Sequence, residues 1–110
     1  MADLTKDRLY GTLEVLILKT LAAGPRHGYG IARWIEESTS NVIQVEEGSL
    51  YPALYRMEKR GWIEAEWSVS EQNRRVKQYR LTLDGKRQLR TELREWERFV
   101  GAVAGVLLAT

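Results

Sequence analysis

Between Gly61 and Thr82 the apolar pattern changes its period, and that change limits the fold more than any other feature of the chain. Trp62-Ile63-Glu64-Ala65-Glu66-Trp67 alternates, with Ile63, Ala65 and Trp67 on one side, and Val76 to Thr82 alternates again, with Lys77, Tyr79 and Leu81 together. A period of two belongs to strands, and the polar stretch from Ser68 to Arg75 reads as the loop of one hairpin. The segments on either side have helical spacing. A chain of 110 residues has room for one modest core, so hairpin and helices must share it. The expected class is mainly α with a small β-hairpin.

The helical segments can be counted out. Leu9, Leu13, Leu16, Ile17 and Leu21 mark a first helix over residues 4–23, and Val15 and Leu18 lie off that stripe, so two of its sides are expected to be covered. Gly24-Pro25 ends it. Ile31, Ala32 and Ile35 mark a short second helix from Gly28 to about Glu37, followed by a brief β-prone patch at Val42 to Val45. In GSLYPALYRMEKRGWI, residues 48–63, Leu50, Ala53, Leu54 and Met57 form one apolar face, and Pro52, Tyr55, Arg56 and Lys59 lie opposite. Ser49 is the expected N-cap, which puts Pro52 in the first turn where a missing N–H has no cost, and Gly61 is the expected stop. Thr82 caps a last long helix in which Leu89, Leu93, Trp96, Val100, Val103 and Leu107 are spaced as a heptad seam, the pattern of a helix that packs lengthwise on a partner.

Charge is distributed unevenly. The net formal charge is only +2, but residues 56–90 hold ten Lys and Arg against five acids, leaving the rest of the chain acidic. With one histidine, no cysteine, no Gly-rich phosphate loop and no spaced carboxylates, the sequence holds no constellation for catalysis, and neither cofactor nor metal is expected. The absence of cysteine fits a reducing compartment, and the cytoplasm is the expected location. The first apolar run is interrupted by Lys19 and does not read as a secretory signal; the run from Phe99 to Ala109 is short of the roughly 20 residues that span a bilayer. No membrane association is expected.

Three helices followed by a basic hairpin is the winged helix-turn-helix order, in which the third helix enters the DNA major groove and the wing lies along the neighbouring backbone. Residues 1–82 are read as this unit, with the recognition helix at about 49–60 and the wing at about 62–82, and residues 83–110 as a dimerisation helix. Ser49, Tyr51 and Pro52 are placed to approach base edges or sugar-phosphate, Arg56 and Lys59, on the DNA-binding face they share with Tyr55, to reach phosphates or guanine acceptors, and Arg74, Arg75 and Lys77 to neutralise backbone.

The sequence also resembles the PadR-type transcriptional regulators, over nearly its whole length. His27-Gly28-Tyr29, Leu50-Tyr51-Pro52-Ala53-Leu54 and Tyr79-x-Leu81-Thr82-x-x-Gly85, in this order, carry the resemblance. It implies a dimeric winged-helix repressor of the short subtype, with a single C-terminal helix that joins the first helix in the dimer. Leu13 and the seam residues Leu89, Leu93, Trp96, Val100, Val103 and Leu107 are the expected interface. The chain departs from the common pattern at Gln78, where an aromatic is usual, and at Trp62, where a smaller aliphatic is usual.

Several residues have a plainer reading. Arg56 and Lys59 can be a solvated helix face, and Arg74, Arg75 and Lys77 a soluble loop, although their topological position favours DNA. Tyr51 and Tyr55 can serve packing alone. His27 is read as a local hydrogen-bonding residue that opens the second helix rather than as a switch. Trp96 is read first as filler of a dimer core; the alternative, which the resemblance supports, is that Trp96 and its symmetry mate flank a gap that accepts a small aromatic effector. Gly101-x-x-x-Gly105 permits close helix approach and is weak evidence in a soluble protein. The function read from all this is a homodimeric regulator, a repressor, on a near-palindromic double-stranded DNA operator. The rival is a winged-helix module that binds an acidic protein, which would have no need for Arg74-Arg75-x-Lys77 beside a basic third helix.

Overall fold

A computed structural model describes residues 12–110. Its elements are helix α1 (Leu13–Ala22), strand β1 (Arg26–His27), helices α2 (Gly28–Ser38) and α3 (Glu47–Lys59), strands β2 (Ile63–Val69) and β3 (Arg75–Leu81), and helix α4 (Leu83–Leu107). Residues 4–11 of the expected first helix, Leu9 among them, lie outside the described residues. The architecture is the expected one, mainly helical with a small antiparallel sheet and a long C-terminal helix.

One core joins the four helices and the β2–β3 hairpin. Ile17, Leu18 and Leu21 of α1, Ile31 and Ile35 of α2, Leu50, Ala53, Leu54 and Met57 of α3, Ile63 and Tyr79 of the hairpin and Leu89 of α4 are all buried. The apolar face counted along α3 is therefore its buried face, each of the four residues being at most 1% exposed.

The sheet corrects the two-stranded expectation. It has three strands in the order β1-β3-β2, with Arg26 opposite Tyr79 and His27 opposite Gln78, so β3 is central. Two residues carry no periodicity, which is why β1 could not be read. In the hairpin Ile63 pairs with Leu81, Ala65 with Tyr79 and Trp67 with Lys77, so the alternating sets share a face.

The patch from Val42 to Val45 forms no strand. Side chains take the place of a strand partner: Thr39 Oγ1 accepts from Ile43 N at 3.1 Å, Glu36 Oε2 accepts from Val45 N at 3.0 Å, and Val45 is drawn into the core.

Helix α3 starts earlier than expected. Glu46, in extended conformation, is its N-cap, and the Glu46 carbonyl accepts from both Ser49 N and Leu50 N. Ser49 is thus inside the first turn, not the cap, and Pro52 is the sixth helical residue, beyond the positions where a missing N–H costs nothing. The carbonyl of Gly48, four residues earlier on an exposed surface, loses its helical donor. The other end is as the sequence implies: Gly61 has φ +77°, Trp62 N donates to Met57 O at 3.1 Å and Gly61 N to Glu58 O at 3.0 Å, a Schellman closure.

Candidate nucleic-acid interface

The buried face of α3 fixes which side chains are left to meet a partner. Pro52, Tyr55 and Lys59 form the outward ridge, all exposed, with Tyr55 at 62% and the Lys59 ammonium 5.3 Å above the Tyr55 ring. An aromatic beneath a cation narrows the positions the ammonium visits without neutralising it. The two flanks of the helix are committed differently.

On the flank facing α1, the Glu14 carboxylate accepts from Arg56 Nε at 3.2 Å and from Arg60 Nη1 at 2.9 Å. Ser49, half-buried, lies on this flank two turns before Arg56. On the flank facing the wing, Lys77 Nζ donates to Glu58 Oε1 at 2.9 Å. That bond holds the Lys77 ammonium above the ordinary lysine pKa, because the partner favours the charged form. Lys77, expected to neutralise DNA backbone, is here a strut between wing and α3. The reason is register: it shares a sheet face with Tyr79, and that face turns toward α3. Tyr79 beneath it is buried, and loss of solvent raises its phenol pKa.

Tyr51, also on the wing side, is pressed against the start of α2. A Cβ on Gly28 would stand 2.8 Å from the Tyr51 hydroxyl, so a glycine is what lets the ring lie there. His27 Nδ1 accepts from Gly30 N at 3.0 Å and caps α2, as its local reading expected, and Tyr29 stacks on its ring with centroids 6.2 Å apart. Gly28, Tyr29, Tyr51, Arg75 and Lys77 line a common cleft of about 250 Å³, which joins α2, α3 and the wing on one surface. Arg74 and Arg75 are exposed, and the Arg75 guanidinium lies 4.7 Å above the ring of Trp67. Ser70 and Asn73 close the loop between β2 and β3: Asn73 adopts φ +60°, and Ser70 N donates to Arg74 O at 2.8 Å.

Of the expected contact residues, Pro52, Tyr55, Lys59, Arg74 and Arg75 are open to a ligand, Arg56 is half open, and Tyr51, Ser49 and Lys77 are partly or mainly structural. The sequence reading missed Glu14, Glu58, Arg60 and Trp67, whose roles depend on contacts far apart in the chain. Helical phase was the available signal for two of them: Arg60 follows Arg56 by one turn, and Glu58 shares the flank of Tyr51.

The sequence that folds into these three helices and wing matches a known family model. The model is that of the transcriptional regulator PadR-like family, and it spans residues 17–91. The chain belongs to that family. Among solved PadR-family structures, the PadR-like transcriptional regulator of Bacillus cereus superposes with a TM-score of 0.81 at 29% identity, covering 94% of this chain and 99% of that one. A transcriptional regulator from Clostridium thermocellum gives 0.81 at 30% identity, covering 88% and 94%. An uncharacterised protein of Lysinibacillus sphaericus is 34% identical over 90 residues, 82% of this chain and 83% of its own. PadR family members are transcriptional regulators, not enzymes, and DNA binding is the activity that the family implies here.

A second surface lies on α4. Leu13 and Leu89, expected at an interface between protomers, are 5% and 8% exposed and lie in the protomer's own core. The rest of the seam is uncovered: Leu93, Trp96, Val100 and Val103 are between 36% and 44% exposed, and Leu107 more so. Between α1 and α4 is an open hollow of about 770 Å³ lined by Val15, Trp96, Phe99, Val103 and Leu107, with Thr12, Glu92 and Glu95 as polar members. Trp96 and Phe99 stand 6.2 Å apart, their rings tilted by 37°. Among the described residues no helix is long and apolar enough to cross a membrane.

Proposed function

We propose that this PadR-family chain is a sequence-specific repressor that binds a near-palindromic DNA operator as a homodimer, one α3 per protomer in successive major grooves about one helical turn apart. The observation that carries this reading is the exposed ridge Pro52, Tyr55 and Lys59 of α3 together with the exposed wing cations Arg74 and Arg75, helix and wing meeting at the cleft that Tyr51 and Arg75 line. Exposed lysine and arginine suit phosphate contact, and Arg56 supports base or phosphate contact through the guanidinium edge turned from Glu14. The uncovered seam of α4 supports the dimer, since a row of half-exposed Leu, Trp and Val is poorly placed in water. The hollow beside Trp96 and Phe99 supports release by a small aromatic ligand held at the protomer boundary, which acts by favouring one arrangement of the dimer over another. A DNA partner also fits the cytoplasmic location expected from the sequence.

The test is a gel shift and footprint on the DNA upstream of the chain's own coding region. Replacing Arg56 and Lys59 together by alanine is expected to weaken binding on the order of tenfold to a hundredfold and to flatten its salt dependence. Binding that ignores both changes, or does not weaken steeply with salt, would remove DNA from this surface.

A further inference from the structure

Arg56 and Arg60 share one carboxylate, and the two guanidiniums are held in different ways. Glu14 reaches Arg56 at Nε, the inner nitrogen, while it takes Arg60 at Nη1, one of the terminal nitrogens that would otherwise face a phosphate. Arg60 is held a second time, its guanidinium 4.9 Å above the ring of Trp62. The Glu14 side chain is 28% exposed and the arginines 50% and 48%, so the carboxylate is the anchored partner and the cations are the ends able to swing. Isolated surface pairs contribute little to stability; the consequence of this triad lies in which cations remain available to an anion.

We propose that Glu14 is a specificity-determining residue of the DNA interface, resting on the DNA-binding reading above. It orients Arg56 with its terminal nitrogens outward and withdraws Arg60 from the phosphates. A regulator that must leave random DNA for its operator gains discrimination when one of its cations is neutralised internally, because phosphate neutralisation supplies affinity without sequence preference. Lys59 has no such restraint from a carboxylate in this triad and stays with the outward ridge.

The experiment measures binding of the full chain to a mixed-sequence DNA duplex across a salt series from about 50 to 200 mM. The variants are Glu14→Gln, Arg60→Ala and the pair together; glutamine keeps the shape of Glu14, and circular dichroism reports the fold of each. Glu14→Gln is expected to tighten binding at low salt and to steepen the logarithmic salt slope by about one, the release of one further counterion. Arg60→Ala is expected to change nothing in the parent chain and to cancel the gain in Glu14→Gln. Failure of the parent and of Glu14→Gln alike to bind the duplex overturns the DNA-binding reading and this proposal with it. If the parent binds but Glu14→Gln leaves the slope unmoved, or Arg60→Ala already weakens the parent, the role of Glu14 alone is overturned.

Discussion

The Trp62 carbonyl shows how much a single backbone group can decide. It accepts from Thr82 N at 3.0 Å, and the Thr82 hydroxyl, shared between the Gly61 and Trp62 carbonyls at 2.6 and 2.9 Å, accepts in turn from Gly85 N at 3.0 Å to cap α4. A Cβ on Gly85 would run into the Trp62 oxygen and the Leu81 side chain. Thr82-x-x-Gly85 is thus a joint between wing and α4, and its glycine is there for space, not for an unusual φ. Gly85→Ala is expected to destabilise the fold by about 1 to 3 kcal/mol, the usual range for forcing extra volume into a packed site, as a lower midpoint in thermal or urea unfolding. An unchanged midpoint would show that the joint yields easily. Thr82 as a cap was legible because capping is a matter of neighbouring residues. The close approach of Gly85 was not, since the atom it avoids lies in Trp62, across the hairpin.

At the scale of elements, the faces of helices and strands were the most legible part of the molecule, because burial imposes a period on the sequence. The core face of α3 and the shared face of Ile63, Ala65, Tyr79 and Leu81 follow from counting alone. The start of α3 did not. Ser49 has the better capping side chain, yet the helix begins from Glu46, which shows tertiary placement of the buried Val45 and Leu50 overriding a local preference. Pro52 accordingly sits on the ridge at the expense of one backbone hydrogen bond. Charge and position point Lys77 at DNA, the fold also pairs it with Glu58, and no local pattern identifies a partner 19 residues away.

The same strut has a pH signature. Folding raises the pKa of Lys77 through Glu58 and of Tyr79 through burial, so above their ordinary values near 10 the folded state holds more protons than the unfolded one. Stability contributed by both is complete at neutral pH and declines as pH rises through about 10 and beyond. Urea midpoints measured from neutral to alkaline pH should fall over that window, and Lys77→Met with Tyr79→Phe should flatten the fall; an unchanged pH profile in the double variant would assign the alkaline loss to other groups.

At the scale of the whole molecule, α4 divides by function along its length. Leu89 closes the protomer's core, and the residues from Leu93 onward face outward. The heptad spacing runs through both parts without a break, so the sequence alone could not show where intramolecular packing stops. Val103→Asp is expected to leave the fold intact and to convert the proposed dimer to a monomer in size-exclusion with light scattering. A parent chain that is already monomeric at micromolar concentration would exclude the dimer. The Lys77–Glu58 contact then acquires a mechanical meaning. Wing and α3 also share the core through Ile63, Tyr79, Leu54 and Met57, so in the proposed dimer the reading surface is expected to move as one body. Helix α4, with 25 residues, is about 37 Å long. Used as a lever, it carries a turn of about 10° at the protomer boundary to a displacement of roughly 6 Å at its far end, close to two base-pair steps. In the proposed dimer, the distance between two stiff blocks would decide whether both fit one stretch of DNA, and a ligand beside Trp96 could change that distance without altering a single contact on α3.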